Sequence, residues 1–220
     1  MARVVTGLDP ARLRANAERV RREIAAAAER AGRDADRVQL LAAVKYVPLE
    51  ELQSLADAGI TLLGENRAQD LEAKAEAYPG TFTWHFIGQL QSRKVKQIVP
   101  YADLIHSVAS ESALKQLATH HTKRTTILVE VDVAGEESKA GIPPEDLQRY
   151  LDDSPVPVAG LMTMPPFTEV PEESRPHFAA LRRLAEQHGL EHLSMGTSQD
   201  YAVAVEEGAT IVRIGSVLFE

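Results

Sequence analysis

Eight short apolar runs alternate with amphipathic stretches along this chain of 220 residues, and the alternation limits its possible folds more than any other feature. The apolar runs predict β-strands at Val38–Val44, Thr61–Leu63, Thr83–Ile87, Leu104–Val108, Thr126–Val133, Val156–Met162, His192–Met195 and Thr210–Ile214. Apolar residues at three- and four-residue steps predict helices at Leu49–Ala58, Ala68–Tyr78, Gln91–Val99, Ser110–Thr122, Pro144–Asp152, Glu172–His188 and Gln199–Glu207. A further helix is predicted ahead of the first strand, beginning at Pro10.

Short apolar strands that each return through a helix indicate parallel pairing, and eight such units suit a closed (β/α)8 TIM barrel. The opening helix could fill the place left after strand eight. The same alternation permits an open doubly wound sheet, but no G-x-G-x-x-G motif follows the first strand. We therefore expect one barrel domain over residues 1–220, with the proline-rich stretch Pro165–Pro176 as a long loop at its active face.

The composition argues against several classes of protein, namely nucleic-acid-binding, membrane-spanning and metal-binding proteins. A net charge of −8 argues against a broad nucleic-acid surface, and no stretch approaches the ~20 apolar residues of a membrane span. Cysteine is absent and the start lacks a signal-peptide pattern, so a cytoplasmic location is expected. No metal site is expected either, because the adjacent His120 and His121 cannot share a helical face and Gly189 separates His188 from His192.

Lys45 follows the apolar run Leu40–Val44, so it should project from the carboxyl end of the first strand, where barrel enzymes carry their catalytic groups. Taken alone, it is more simply a strand-end lysine whose ammonium group reaches solvent. A desolvated lysine would lose part of its preference for the charged form, and the neutral amine is the species that attacks an aldehyde to form a Schiff base.

Loops of small residues follow the last two predicted strands, where TIM barrels often bind a phosphate. They are Gly196-Thr197-Ser198 and Gly215-Ser216. Backbone N–H groups of small residues can approach an anion closely, and Ser198 immediately precedes the helix predicted from Gln199. Separately, Ser198 could be a plain N-cap and Gly215 a plain turn, but their joint position favours an anion site.

Arg213 lies inside the apolar run Ile211–Ile214, where a buried guanidinium needs a partner. Strand eight adjoins strand one in a closed barrel, which should bring Arg213 close to Lys45 and the phosphate loops. The alternative is a structural ion pair with a carboxylate.

Four further residues lie within predicted strands or in the loops that follow them. Asn66 could hydrogen-bond a ring substituent, and His85 or Met162 could pack near a planar cofactor, although core or loop roles explain these three equally well. Lys139, after strand five, could be a basic contact at the mouth or a solvated loop lysine.

Seven short stretches, in order along the chain, are similar to the pyridoxal phosphate homeostasis proteins, whose fold resembles the N-terminal barrel of alanine racemase. They are Ala43-Val44-Lys45, Leu63–Asn66, Trp84–Gln91, Ser138–Gly141, Gly160–Met164, Leu193–Ser198 and Val212–Gly215. The resemblance implies pyridoxal 5′-phosphate (PLP) bound as a Schiff base to Lys45. It further implies that Ser198, Gly215 and Ser216 hold the phosphate and that Arg213 faces the pyridine nitrogen.

An arginine at that nitrogen keeps it unprotonated, which weakens the ring as an electron sink. The resemblance therefore favours a monomeric carrier that stores PLP or delivers it to apoenzymes, with no catalytic residue assigned. The alternative is a PLP-dependent amino-acid racemase, because alanine racemases work with an arginine there. Those enzymes take a tyrosine base from a second domain that we do not expect here, which leaves Tyr46 and Tyr201 as tyrosines near the predicted site.

Two positions depart from the family pattern. Val47 stands where many members have a second lysine, so any role of that lysine in passing the cofactor onward is not expected here, and Thr197 replaces a common methionine. A third hypothesis is noncovalent binding of another phosphorylated metabolite, for which Ser198 and Gly215 would matter and Lys45 would not.

Overall fold

Eight parallel strands close into one barrel in this computed structural model, which describes residues 4–135 and 140–220. The strands are β1 Gln39–Ala43, β2 Leu62–Glu65, β3 Thr83–Phe86, β4 Leu104–Val108, β5 Ile127–Glu130, β6 Val158–Met162, β7 His192–Thr197 and β8 Ile211–Ile214. They follow one another in sequence order, and pairing of β1 with β8, with Leu41 opposite Arg213, closes the barrel. The predicted TIM barrel is confirmed and the open sheet is excluded.

Helices cover the outside of the barrel. They are α1 Pro10–Arg30, α2 Leu52–Asp57, α3 Ala68–Ala77, α4 Val95–Ile98, α5 Glu111–His120, α6 Leu147–Asp153, α7 Arg175–Gln187, α8 Tyr201–Glu206 and α9 Ser216–Phe219. Short 3₁₀ turns lead into four of them, at Leu49–Glu51, Ser92–Lys94, Pro144–Asp146 and Pro171–Ser174. The proline-rich loop is shorter than predicted, because Pro176 lies in the first turn of α7, where its missing N–H has no helical partner to lose. Helix α9 was not predicted.

Helix α1 packs against α2, α8 and α9 and so occupies the expected place between the last and first strands. Its start is set by Asp9, whose carboxylate accepts hydrogen bonds from the amides of Ala11 and Arg12, and by Pro10 at the first helical position. No helix within the described ranges is long and apolar enough to cross a lipid bilayer.

The barrel interior changes from apolar to polar along the strands. An inner apolar cluster is formed by Leu41, Leu104, Leu128, Met162 and Ile211. Side chains alternate between the two faces of a strand, so the next inward positions on β4, β5 and β8 are His106, Glu130 and Arg213. All three are buried, which places a polar layer between the apolar cluster and the carboxyl ends of the strands.

Candidate functional site: a cavity at the carboxyl ends of the strands

A cavity of about 530 Å³ opens where β1, β2, β7 and β8 end. Its volume lies within the ~300–1,000 Å³ typical of small-molecule sites. The predicted site residues that line it are Lys45, Asn66, Ser198, Arg213, Gly215 and Ser216. Closure of the barrel brings these residues together from the two ends of the chain.

Lys45 reaches this cavity from the turn that follows β1. Its side chain is exposed, so the desolvation considered from the sequence is not observed. The Lys45 ammonium lies 5.1 Å from the centroid of the Tyr46 ring, a cation–π contact, and Tyr46 also lines the cavity. The amine is thus accessible to a ligand in the cavity.

The loops after β7 and β8 are joined by one hydrogen bond, in which the Gly215 amide donates to Ser198 Oγ at 3.1 Å. Helix α8 begins at Tyr201 and not near Gln199, so the alternative that Ser198 is its N-cap is wrong. Within residues 4–135 and 140–220, no acceptor receives the amide hydrogens of Ser198, Gln199 or Ser216. All three residues line the cavity, so these donors are available to a bound anion.

Asp200, which the sequence analysis missed, shapes the first of these loops. Its carboxylate accepts hydrogen bonds from Thr197 N at 2.8 Å, Thr197 Oγ1 at 3.2 Å and Ser174 Oγ at 2.9 Å. The backbone of Gly196, at the start of this loop, has a φ of +91°, and a Cβ at this position would lie 2.6 Å from the Cβ of Ala204. The loop therefore requires glycine at this position both for its backbone angle and for its contact with α8.

A buried ion pair supports the other side of the cavity. Lys74 Nζ lies 2.5 Å from Glu65 Oε1 and donates to the Val44 carbonyl at 2.9 Å. Glu65 Oε2 accepts from the amide of Asn66 at 2.7 Å. The pair consequently holds the backbone beside both Lys45 and Asn66.

Arg213 is buried and bound mainly by uncharged acceptors. Its Nη1 donates to the Ser194 carbonyl at 2.7 Å and to Ser194 Oγ at 2.6 Å, and its Nη2 donates to the Thr163 carbonyl at 3.0 Å and contacts Met164 Sδ at 2.8 Å. Burial lowers the pKa of Arg213 to about 10, against the opposing effect of Glu130 and Asp200. The ion pair considered as an alternative is not formed with any described carboxylate.

Two predicted residues lie away from the cavity, in the barrel interior. His85 is hydrogen-bonded to His106 at 2.9 Å, and Met162 belongs to the inner apolar cluster. Met164, two residues further along the chain, lines the cavity instead. Lys139 lies outside the described residues.

The two tyrosines named from the sequence differ in position. Tyr46 lines the cavity, whereas the buried Tyr201 donates its hydroxyl to Glu23 of α1 and is not among the lining residues. Burial, and next the hydrogen bond to Glu23, raise the pKa of Tyr201.

Sequence reasoning missed His106, Ser194 and Glu130, although the signal that identified Arg213 applies to them. Each is a polar residue inside an apolar strand run, and each is buried in the structure. Among the described residues, no cluster of three or more His, Asp or Glu side chains is arranged to hold a metal ion.

Comparison with known proteins places this chain among closely similar barrels. Residues 8–220 match the family described as "Alanine racemase, N-terminal domain". A pyridoxal phosphate homeostasis protein of Aquifex aeolicus is 43% identical over 215 residues, which span 91% of this chain and 94% of that protein.

Two solved structures are similar over most of their length. An unknown protein from Bifidobacterium adolescentis matches with a TM-score of 0.86 and 32% identity, covering 99% of this chain and 98% of that one. PipY of Synechococcus elongatus, whose structure was solved with PLP bound, matches with a TM-score of 0.74 and 33% identity, covering 84% of this chain and 93% of that one.

Proposed function

This chain belongs to the pyridoxal phosphate homeostasis proteins, within the alanine racemase N-terminal domain family, and from that premise we propose that it binds PLP in the cavity at the barrel mouth. The observation that carries the proposal is the set of unused backbone donors at Ser198, Gln199 and Ser216. No described carboxylate lines this cavity, and the nearby Asp200 carboxylate is already bound by Thr197 and Ser174, so the lining itself suits a phosphate dianion.

Lys45 is the residue we assign to covalent attachment. Its exposed amine opens into the same cavity as the proposed phosphate site, which suits a ligand that carries an aldehyde at one end and a phosphate at the other. Asn66 and Arg213 also line the cavity, and we assign Asn66 to a hydrogen bond with the ring and Arg213 to its interior side. The bound group would supply an electrophilic aldehyde that Lys45 masks as a Schiff base.

We assign the protein to storage or delivery of PLP, with PLP-dependent apoenzymes as recipients. Two features support this role over racemization. Arg213 stays cationic at neutral pH and can only donate hydrogen bonds, which disfavours protonation of a ring nitrogen beside it. Tyr201, one of the two tyrosines considered as a second base, is engaged with Glu23 and is not among the lining residues.

The test is PLP binding by the purified protein, followed in the visible absorption spectrum. We expect an imine band in the wild type, a borohydride-reducible adduct that mass spectrometry locates at Lys45, and loss of both in Lys45→Ala. Lys96→Ala, an exposed lysine on α4, is the matched control and should retain the adduct. A wild-type protein without the band, or an unchanged adduct in Lys45→Ala, would overturn the proposal.

Racemase activity remains the second candidate because Tyr46 lies beside Lys45 in the cavity. Exchange of solvent deuterium into Cα across a panel of amino acids separates the two functions. The carrier predicts PLP binding without exchange. Exchange that is lost in both Lys45→Ala and Tyr46→Phe would establish the enzyme instead.

Noncovalent binding of another phosphorylated metabolite is distinguished by the same reduction experiment, since it predicts no adduct at Lys45. We also propose that the chain forms a single domain and acts in the cytoplasm as a monomer. Sedimentation equilibrium with and without PLP tests the monomer, and a dimer in either condition would contradict it.

A further inference from the structure

A continuous chain of hydrogen bonds crosses the barrel interior from Arg213 to His85. Arg213 Nη1 lies 2.6 Å from Ser194 Oγ, which lies 2.8 Å from His106 Nδ1, and His106 Nε2 lies 2.9 Å from His85 Nδ1. Strands β4 and β7 are not neighbours, so the contact between His106 and Ser194 spans the interior. All four residues are buried.

The direction of donation along this chain follows from the chemistry of its first member. A guanidinium only donates, so Ser194 Oγ accepts from Arg213 and its single proton is free to satisfy His106 Nδ1. When Ser194 Oγ donates to His106 Nδ1 in this way, His106 carries its proton on Nε2 and donates to His85 Nδ1. The arrangement therefore satisfies each contact with two neutral imidazoles of defined tautomer.

Protonation of His85 would reverse this order. A proton on His85 Nδ1 would force His106 to accept at Nε2 and donate from Nδ1, and Ser194 Oγ would then receive two donors while its own proton lost its acceptor. Burial in the barrel favours the neutral pattern. It lowers the pKa of His85 to about 4, with Asp103 opposing the shift and His192 adding to it.

Within the described part of the chain, the groups facing Arg213 leave it a cation without a neutralising contact. Glu130 and Asp200 act on it from beyond ion-pair distance, and Glu130 Oε2 has no hydrogen-bond partner among the described residues. Nη1 and Nη2 of Arg213 are occupied, whereas Nε donates to no described acceptor. Arg213 lines the cavity, so this remaining donor is available to a ligand there.

We propose that Ser194, His106 and His85 are positioning residues that fix the rotation of the Arg213 guanidinium, so that its Nε–H donates to an acceptor atom on the ring of the bound cofactor. The inference rests on the proposed function, since it requires PLP in the cavity. Its structural basis is that Arg213 Nη1 donates to two atoms of Ser194. One is the backbone carbonyl, and the other is Oγ, which is hydrogen-bonded in turn to the imidazole pair.

The test compares Ser194→Ala and His106→Leu with Ser107→Ala. Ser107 on β4 is buried like Ser194, but its hydroxyl donates to the Gly88 carbonyl. Ser107→Ala therefore removes a buried serine hydroxyl that is not part of the hydrogen-bond chain from Arg213. The readouts are the dissociation constant of PLP and the pH titration of the visible absorption of bound PLP, with thermal melts of the apoproteins to show that each variant folds. Ser194→Ala is the milder change and serves if His106→Leu does not fold.

Ser194→Ala and His106→Leu should each bind PLP about tenfold more weakly, the size of effect expected from one hydrogen bond to a charged group. The absorption titration should also shift, whereas Ser107→Ala should match the wild type. In an Arg213→Gln background, Ser194→Ala should have less than a twofold effect, because the serine acts through the arginine.

The positioning role alone would be overturned if the wild type binds PLP and both Ser194→Ala and His106→Leu bind it as Ser107→Ala does. An undiminished tenfold loss in the Arg213→Gln background would do the same, since it would show a general packing effect. A wild-type protein that does not bind PLP would instead overturn the proposed function and this inference together.

Discussion

At the residue scale, the two cations at the cavity are held in opposite ways. Lys45 is exposed and is positioned through its backbone, because the preceding carbonyl of Val44 accepts from Lys74. Arg213 is buried and held through its guanidinium by acceptors on β7 and after β6. A group that is to form and break a covalent bond needs access to its ligand, whereas a group that orients a ring needs a fixed direction.

The buried imidazoles predict an acid sensitivity of the apoprotein. The folded pKa of His85 is about 4, below the ordinary histidine value of 6.5, so the unfolded chain binds more protons between these two values. The contribution of neutral His85 to the free energy of unfolding is fully present above pH 6.5 and is lost as the pH falls toward 4. For His85 alone the loss is about 3 kcal/mol, at ~1.4 kcal/mol per pH unit.

Urea unfolding at a series of pH values measures this dependence. The His85→Gln variant should flatten the slope between pH 6.5 and 4 relative to the wild type. His177→Gln, on the outer helix α7, controls for loss of a histidine outside the barrel interior. An equal slope in the wild type and His85→Gln would contradict the prediction.

At the element scale, the buried pair of Glu65 and Lys74 links three elements at the cavity. Lys74 belongs to α3, Glu65 ends β2, and the Val44 carbonyl that Lys74 also binds follows β1. The residue after Glu65 is Asn66 and the residue after Val44 is Lys45. One ion pair therefore sets the spacing of two strand ends that carry proposed ligand contacts.

Removal of one member of this pair should be strongly destabilising. Lys74→Met should lower the free energy of unfolding by about 3–5 kcal/mol, because it leaves Glu65 charged and buried without its partner. Lys96→Met, on the exposed face of α4, should change it by less than ~0.5 kcal/mol. Urea denaturation provides the measurement.

A double variant separates the uncompensated charge from lost packing. Adding Glu65→Gln to Lys74→Met should recover part of the stability, because the unpaired buried charge at position 65 is removed. A double variant that is less stable than Lys74→Met alone would show that the charge was not the cause.

At the scale of the whole molecule, the cavity exists only because the barrel closes. Lys45 follows β1 and Gly215 follows β8, so residues from opposite ends of the chain line one cavity through the β1–β8 pairing. A ligand that contacts both ends binds the folded barrel and not the unfolded chain. Its binding energy is consequently coupled to global stability.

PLP should therefore stabilise the entire barrel against unfolding. At a free concentration 100 times its dissociation constant, the gain is about 2.7 kcal/mol, which for a chain of this size raises Tm by about 5–10 °C. Differential scanning calorimetry of the wild type, with Lys45→Ala at the same PLP concentration as control, checks this expectation. An unchanged Tm in the wild type under saturating PLP would contradict it.

The sequence by itself determined the order of strands and helices, favoured the closed barrel over an open sheet and predicted the grouping of Lys45, Ser198, Arg213 and Gly215. Hydrophobic periodicity is a local property, and eight βα units restrict the topology, so the strand ends could be placed before any contact was known. Helix starts were less accurate, as at α8, because hydrophobic periodicity does not distinguish a preceding turn or 3₁₀ segment from the first turn of the helix.

Only the tertiary structure decided which polar groups meet inside the barrel. It placed His85 and Met162 in the interior and Met164 at the cavity, paired Ser198 with the Gly215 amide, and joined His106 to Ser194, which lies 88 positions further along the chain. These contacts join strands and loops that are distant in sequence. They depend on the stagger between strands and on which inward side chains face each other across the barrel, neither of which a local pattern contains.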